Sequence, residues 1–373
     1  MNPLLFFVAF ATLFMLINYY IYKRLIKHLY FSKKMKHLLS LFLFINYLGI
    51  ILYAVAKYHV AIVNWLFFLA SLSIGVLFLL FCTALFYDIL RLSLAKIPMS
   101  HKRRNFFKKS LDISSIGLAS TLSIAATYDA RKVVHEKVQI KIKKLKKEYK
   151  VAQISDLHIG GLIDQRFIHT IVLRINAMKP DLIVITGDLV DIKVSQANET
   201  IDELKKLQSK YGTYFIVGNH EYFHNIQEIL NKVKSIGIRV LENENVYIGD
   251  KDEGFNLAGV YDIFGYRMKM YKPDIYKALK GIDIDSPSIL LAHQPLFIDE
   301  VQNGVDLMLS GHTHGGQIYP FKFLVKLQQP YVSGLHQHND NLQIYVNKGT
   351  GFWGPPMRLG ASSEITEIDI VGV

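Results

Sequence analysis

Three uncharged apolar runs constrain this chain more than any other feature. Pro3–Tyr22, Leu38–Ala56 and Val60–Tyr87 each reach or approach the ~20 residues that a helix needs to cross a bilayer. A soluble protein has to turn some helix faces to water, and three such runs in succession leave no polar face for that. Trp65, Tyr19, Tyr20, Tyr22, Tyr58 and Tyr87 fall near the run ends, as interfacial anchors do.

The charges between the runs predict orientation. Lys23, Arg24, Lys27, Lys33, Lys34 and Lys36 follow the first run, whereas only Lys57 separates the second from the third. Arg91, Lys96, Lys102, Arg103, Arg104, Lys108 and Lys109 precede a weaker fourth run, Leu111–Ala126, which contains Asp112 and several serines. The positive-inside rule places both basic segments in the cytoplasm and the amino terminus outside. If the fourth run crosses, everything after Ala130 lies outside the cytoplasm; if it rests on the surface, that part is cytoplasmic. His101–Lys108, HKRRNFFK, resembles a twin-arginine export signal, although such signals begin chains and this one is internal. The expectation is a multi-pass cell-membrane protein, with a membrane region at 1–130 and an extracytoplasmic domain at 131–373.

Cys82 is the only cysteine, so a disulfide framework and a cysteine-based zinc site are excluded. Metal chemistry would have to use His, Asp, Glu or Asn. The net charge of +12 is concentrated partly in Arg131–Lys150, where Val138, Ile140 and Ile142 alternate with Lys137, Gln139, Lys141 and Lys143. That period fits a strand, either a charged edge protected from aggregation or a face against anionic head groups. Nucleic acid is not an expected partner, because the basic residues lack interleaved aromatics.

Beyond residue 148 strands and helices alternate, which predicts an α/β domain. Expected strands are Tyr149–Ser155, Asp181–Thr186, Tyr214–Val217, Phe255–Val260, Ser288–Ala292, Val305–Leu309, Leu342–Asn347 and Glu364–Val371. Expected helices are Asp164–Met178, about Glu199–Ser209, and Ile226–Ser235. Polar groups gather where strands end, as they do at the sites of open sheets. Asp156, His158, Asp188, Asn219, His293, His312 and His314 each follow an apolar strand. Alone, any one of them reads as a turn aspartate or a hydrogen-bonded histidine. Together, oxygens and imidazoles in this mixture suit Mn, Fe or Zn, and a carboxylate such as Asp188 can bridge two ions.

The strings DLH at 156–158, GDLVD at 187–191, GNHE at 218–221, the single His293 in LLAHQP and GHTH at 311–314 resemble the calcineurin-like metallophosphoesterase family. The likeness covers residues 148–373, and SGHTHGGQ behind a membrane region resembles its bacterial membrane-associated branch. The resemblance implies an αββα sandwich of two sheets flanked by helices, and a phosphoesterase with two divalent metal ions. Asp156, His158 and His314 would hold one ion. Asp188 would bridge to a second, held by Asn219, His293 and His312. His220 would stabilise the transition state or protonate the leaving oxygen, with Asp191 orienting it; a surface turn is the alternative for Asp191. Tyr222 and Arg358 are weaker candidates for substrate contact, and Arg358 also reads as a structural residue.

Two other classes compete. HEYFH at 220–224 fits a zinc-protease pattern, but that motif needs a helix and here it follows a strand and a turn. A non-catalytic membrane receptor would be attractive if a ligand position were degraded, and none is. A second HxH, His336 and His338, reads as a polar turn without a strand end. A domain tethered to a bilayer makes a lipid-linked phosphodiester or pyrophosphate the expected phosphate-ester substrate, with a soluble nucleotide or general phosphodiester as the alternative.

Overall fold

The computed structural model describes residues 3–58 and 62–373. Val60 and Ala61, at the start of the expected third run, and the Tyr58 side chain lie outside the described residues. The chain divides into two compact units, one of Met1–Tyr128 with Gly354–Leu359, the other of Asp129–Trp353 with Gly360–Val373.

The first unit is helical: α1 Pro3–Arg24, α2 Lys33–Tyr58, α3 Asn64–Lys96 and α4 His101–Asp129. Among the described residues three helices are long and apolar enough to cross a membrane, at Leu4–His28, Lys33–Lys57 and Asn64–Lys96. α4 is not among them. Lys33, Lys34 and Lys36 fall inside the first turn of α2 rather than in a loop. Ile21, Leu25, Leu43, Ile50, Leu77 and Tyr87 pack together. Two buried carboxylates in this unit, Asp88 and Asp112, are matched. Asp88 accepts from Arg24 Nε at 2.9 Å. Asp112 is fully buried and accepts from the Tyr87 hydroxyl at 2.8 Å and from the Tyr30 N–H. Such pairing removes most of the penalty that a carboxylate carries in an apolar setting.

The second unit holds two six-stranded sheets. The first runs β1 (Val134–Ile142), β12 (Glu364–Gly372), β2 (Tyr149–Ile154), β3 (Leu182–Thr186), β4 (Thr213–Ile216) and β5 (Arg239–Val240). The second runs β10 (Gly334–Gln337), β11 (Gln343–Val346), β9 (Leu307–Ser310), β8 (Ser288–Leu291), β7 (Phe255–Gly259) and β6 (Glu244–Ile248). β2, β3 and β4 are mutually parallel, as are β7, β8 and β9. Strands covered on both faces read as unbroken apolar runs, which is why β3 is LIVIT. Leu182 and Val184 turn inward to meet Leu257, Ile289, Leu291, Leu307 and Leu309 between the sheets. Ile183 and Ile185 turn outward to Ile168, Ile171, Val172, Ile201, Ile229 and Val233 of the covering helices. The second sheet is covered on its far side by a lighter layer, including Ala278, Phe297 and Ile298. This is the expected αββα sandwich. The lysine-rich β1 lies at a sheet edge and, among the described residues, pairs only with β12.

α5 (Gln165–Met178) begins where Asp164 accepts from the Phe167 N–H and stops at the left-handed Lys179, ahead of Pro180. α6 occupies Val194–Asp202, with a 3₁₀ turn at Glu203–Lys206, so this helix starts about a turn before the expected Glu199. Its apolar side is only Val194, Ala197 and Ile201, too thin a stripe to mark the start. α7 spans Ile226–Ser235, as expected. Short helices α8 (Phe264–Met268), α9 (Ile275–Ala278) and α10 (Lys322–Val325) complete the unit.

Candidate metal centre

Five strands deliver the predicted residues to one place. β2, β3 and β4 of the first sheet end just before Asp156, Asp188 and Asn219. β8 and β9 of the second end before His293 and His312. The chain must turn sharply there, and it does so in a strained conformation. Asp156, His158, Asp188, His312 and His314 all have positive φ, between 49° and 69°. Each costs roughly 1–2 kcal/mol for a residue with a Cβ. Gly218 is required, because a Cβ there would run into the Asp188 carboxylate.

The donor atoms converge in two groups. In the first, His158 Nε2 and His314 Nε2 stand 3.0 Å apart, and Asp156 Oδ1 is 3.4 Å from His314 Nε2. In the second, His293 Nε2 lies 3.3 Å from Asp188 Oδ2, 3.3 Å from His312 Nδ1 and 3.2 Å from Asn219 Oδ1. The same Asp188 Oδ2 is 3.8 Å from His158 Nε2, so one carboxylate oxygen faces both groups. Donors that share a cation at ~2.0–2.2 Å stand roughly 3.0–3.5 Å from one another. These residues therefore fit a pair of divalent ions.

A profile of the family described as calcineurin-like phosphoesterase matches residues 149–316. An uncharacterized metallophosphoesterase of Helicobacter pylori is 37% identical over 368 residues, covering 98% of each chain. One from Campylobacter jejuni is 34% identical over 375 residues, covering 99% of each. This chain belongs to the calcineurin-like phosphoesterases. It is a metal-dependent phosphoesterase. A Bos taurus protein named as a transmembrane protein with a metallophosphoesterase domain is 37% identical over 231 residues, covering 59% of this chain and 52% of the bovine one.

The phosphoesterase fixes its imidazoles from behind. His293 Nδ1 lies 2.7 Å from the Thr186 carbonyl, which makes it the donor and aims Nε2 at the cluster. Asp191 Oδ1 meets two rings, His158 Nδ1 at 2.8 Å and His220 Nδ1 at 2.6 Å. The charges are mutually supportive. Burial opposes the Asp188 charge, but His293 and His220 outweigh it and hold the carboxyl well below the ordinary range. Burial opposes Asp191 too, and there His158 and His220 win. Burial, with His293 beside it, pushes His312 down to about 3.

Sequence reasoning missed Glu221. It is fully buried and accepts four backbone N–H groups, from Gly218 at 2.6 Å, Leu189 at 2.8 Å, Asp188 at 3.1 Å and Val190 at 3.3 Å. It ties the Asp188 loop to the Asn219 turn, and its place in GNHE was the available signal. Trp353 was also missed; its ring stands edge-on to His220 at 6.1 Å.

Other candidates fall elsewhere. The Tyr222 hydroxyl donates to the Tyr271 carbonyl at 2.6 Å, so it is a packing residue rather than a substrate contact. Arg358 is fully buried, and its N–H donates to the Ala126 carbonyl at 2.8 Å, which fits its structural reading. His220–Phe223 forms a 3₁₀ turn, so HEYFH lacks the helix that the protease pattern needs. His336 lies on β10 rather than in a turn, bonded to the Ser333 carbonyl, and His338 bonds Tyr331.

Proposed function

We propose that this phosphoesterase is a membrane-anchored dinuclear hydrolase of phosphodiester or pyrophosphate bonds, acting on a lipid-linked substrate. In this reading Asp156, His158 and His314 would hold one ion, Asn219, His293 and His312 would hold the other, and Asp188 would bridge them. Mn, Fe or Zn would suit these donors. When bound, two such ions supply positive charge for phosphate oxygens and acidify water. The chain supplies orientation and a proton. Asp191 accepts from His220 Nδ1, so a protonated His220 would present its Nε2 proton to the cluster, where Nε2 lies 3.9 Å from Asp188 Oδ2. As water oxygen bonds to phosphorus and the ester P–O bond breaks, that proton passes to the leaving oxygen.

The carrying observation is the Asp188 oxygen that faces both donor groups, beside an imidazole held by its own carboxylate. Metal analysis of the purified chain is expected to give two ions. Asn219→Asp or His312→Ala should abolish metal-dependent turnover of an artificial phosphodiester, and unchanged turnover would refute the assignment. Comparing lipid-linked with soluble nucleotide substrates tests the substrate class; equal rates would leave a general phosphodiesterase. A non-catalytic receptor would bind without turnover of either.

For topology, we infer a membrane region at 1–130 that crosses several times and an extracytoplasmic domain at 131–373. Past its basic start, α4 runs unbroken from Ser110 to Asp129, about 30 Å at 1.5 Å per residue. Asp112 is satisfied within its unit, and Ser115, Ser123 and Thr127 bond back to carbonyls four residues earlier. These features lower the cost of crossing. A Lys269→Cys probe in a Cys82→Ala background should react with an impermeant maleimide in intact cells. Reaction only after lysis would put the domain in the cytoplasm.

A further inference from the structure

Five residues beyond His314 the chain reads YPFKFLVKL, Tyr319–Leu327, with α10 at its centre and no buried residue in that helix. Tyr319, Phe321, Phe323, Leu324 and Leu327 are all exposed, Leu327 by 81% and Phe323 by 56%. Five large apolar side chains within nine residues are far more than the scattered singles of an ordinary wet surface. Lys322 and Lys326 are interleaved with them, and no acidic residue occurs between Asp306 and Asp340.

The display is held in place. A Cβ on Gly316 would overlap the Lys322 backbone, so α10 starts flush against the loop that carries His314. Gln317 donates to the Trp353 carbonyl at 2.7 Å and accepts from its N–H at 3.0 Å. At the far end the buried Gln329 accepts from the Leu296 N–H at 3.0 Å and donates to Gln294 at 3.1 Å. Both clamps sit beside the reaction centre, since Trp353 stands against His220 and Gln294 follows His293.

We propose that Tyr319–Leu327 is a bilayer-docking wedge. Its apolar side chains enter the acyl boundary of an anionic membrane, and Lys322 and Lys326 meet the phosphate head groups. Aromatic and leucine side chains interspersed with lysine are the chemistry of segments that lie in that interface. The same chain carries three helices long enough to cross a bilayer, which raises the effective concentration of membrane around any such segment. Because the wedge adjoins the His314 loop and Trp353, a phosphoester amphiphile could be engaged with its chains still in lipid. That consequence rests on the hydrolase reading; the docking does not.

The test uses the full chain in a Cys82→Ala background, labelled at Leu324→Cys or Leu327→Cys with an environment-sensitive dye. It is reconstituted in nanodiscs of phosphatidylcholine and phosphatidylglycerol. A nitroxide on the lipid acyl chain should quench both probes several-fold more than a probe at Ile284→Cys, which is 78% exposed at the opposite end of β8. Lys322→Glu with Lys326→Glu, or removal of phosphatidylglycerol, should weaken the quenching. Equal quenching at all three positions overturns the proposal. So does insensitivity to both charge changes, or a dye response that follows protein copies per disc rather than lipid. Turnover of a soluble phosphodiester by Leu324→Ser with Leu327→Ser is expected to match wild type. Quenching needs no catalysis, so failure of the wedge and failure of the hydrolase reading register separately.

Discussion

Glu221→Gln should damage the phosphoesterase more than a one-atom change suggests. The carboxylate serves two pairs of buried donors: Oε1 accepts from Leu189 and Val190, and Oε2 from Asp188 and Gly218. A glutamine has one acceptor oxygen. Whichever way its amide turns, its NH₂ faces two N–H groups. Each buried group left unpaired costs roughly 1–3 kcal/mol, so two cost roughly 2–6. Removing a buried carboxylate returns part of that, leaving a net loss of about 2–4 kcal/mol. For a unit of this size the thermal midpoint should fall by about 5–15 °C. The chemistry should suffer as well, because those N–H groups set the loop that aims Asp188; metal affinity is expected to drop ~10–100-fold. The assay is differential scanning of the purified chain with metal titration by calorimetry and turnover of an artificial phosphodiester. A Glu221→Gln protein with wild-type midpoint, affinity and turnover would refute the positioning role.

Other outcomes follow from the same geometry. Asp191→Asn cannot accept from both His158 and His220 through one oxygen as strongly, so kcat should fall on the order of 100-fold. Adding His220→Ala to it should cost little more, and additive losses would show that Asp191 acts independently. Gly218→Ala should lose metal and turnover together, since its Cβ overlaps the Asp188 carboxylate; full metal content would contradict this. Chelation should abolish turnover and lower the thermal midpoint, with recovery on adding Mn, and a metal-free enzyme of unchanged midpoint would argue against the linkage. Glu203 is drawn down to about 2 by hydrogen bonds from Lys206 and Gln165. Its stabilisation is fully present above its ordinary pKa and lost as pH falls through the depressed one. The midpoint gap between wild type and Glu203→Gln should thus narrow from pH 6 to pH 3, and a constant gap would exclude that linkage.

Strand ends were the most legible part of the second unit. β2, β3, β4, β8 and β9 are almost wholly buried, so each is a mostly apolar run that gives way to a polar loop. The position of each candidate donor could be seen in the string. What ties the donors together could not. Glu221 acts on amides from another loop, and backbone N–H groups leave no mark in a sequence. Asp191 beside His158 is likewise a contact between loops, and only its pairing with His220 had been implied by resemblance. α6 was misplaced because helix packing there rests on small and widely spaced side chains, which periodicity detects poorly.

β12 lies between β1 and β2, although more than 200 residues separate it from both in the chain. As the protein emerges from the ribosome, the first sheet therefore has a gap near one edge until β12 is made. Among the described residues β1 pairs with β12 alone, so it cannot join early. Closure of this sheet must wait for β12, and nascent chains released before Glu364 should remain protease-sensitive around Val134–Ile142.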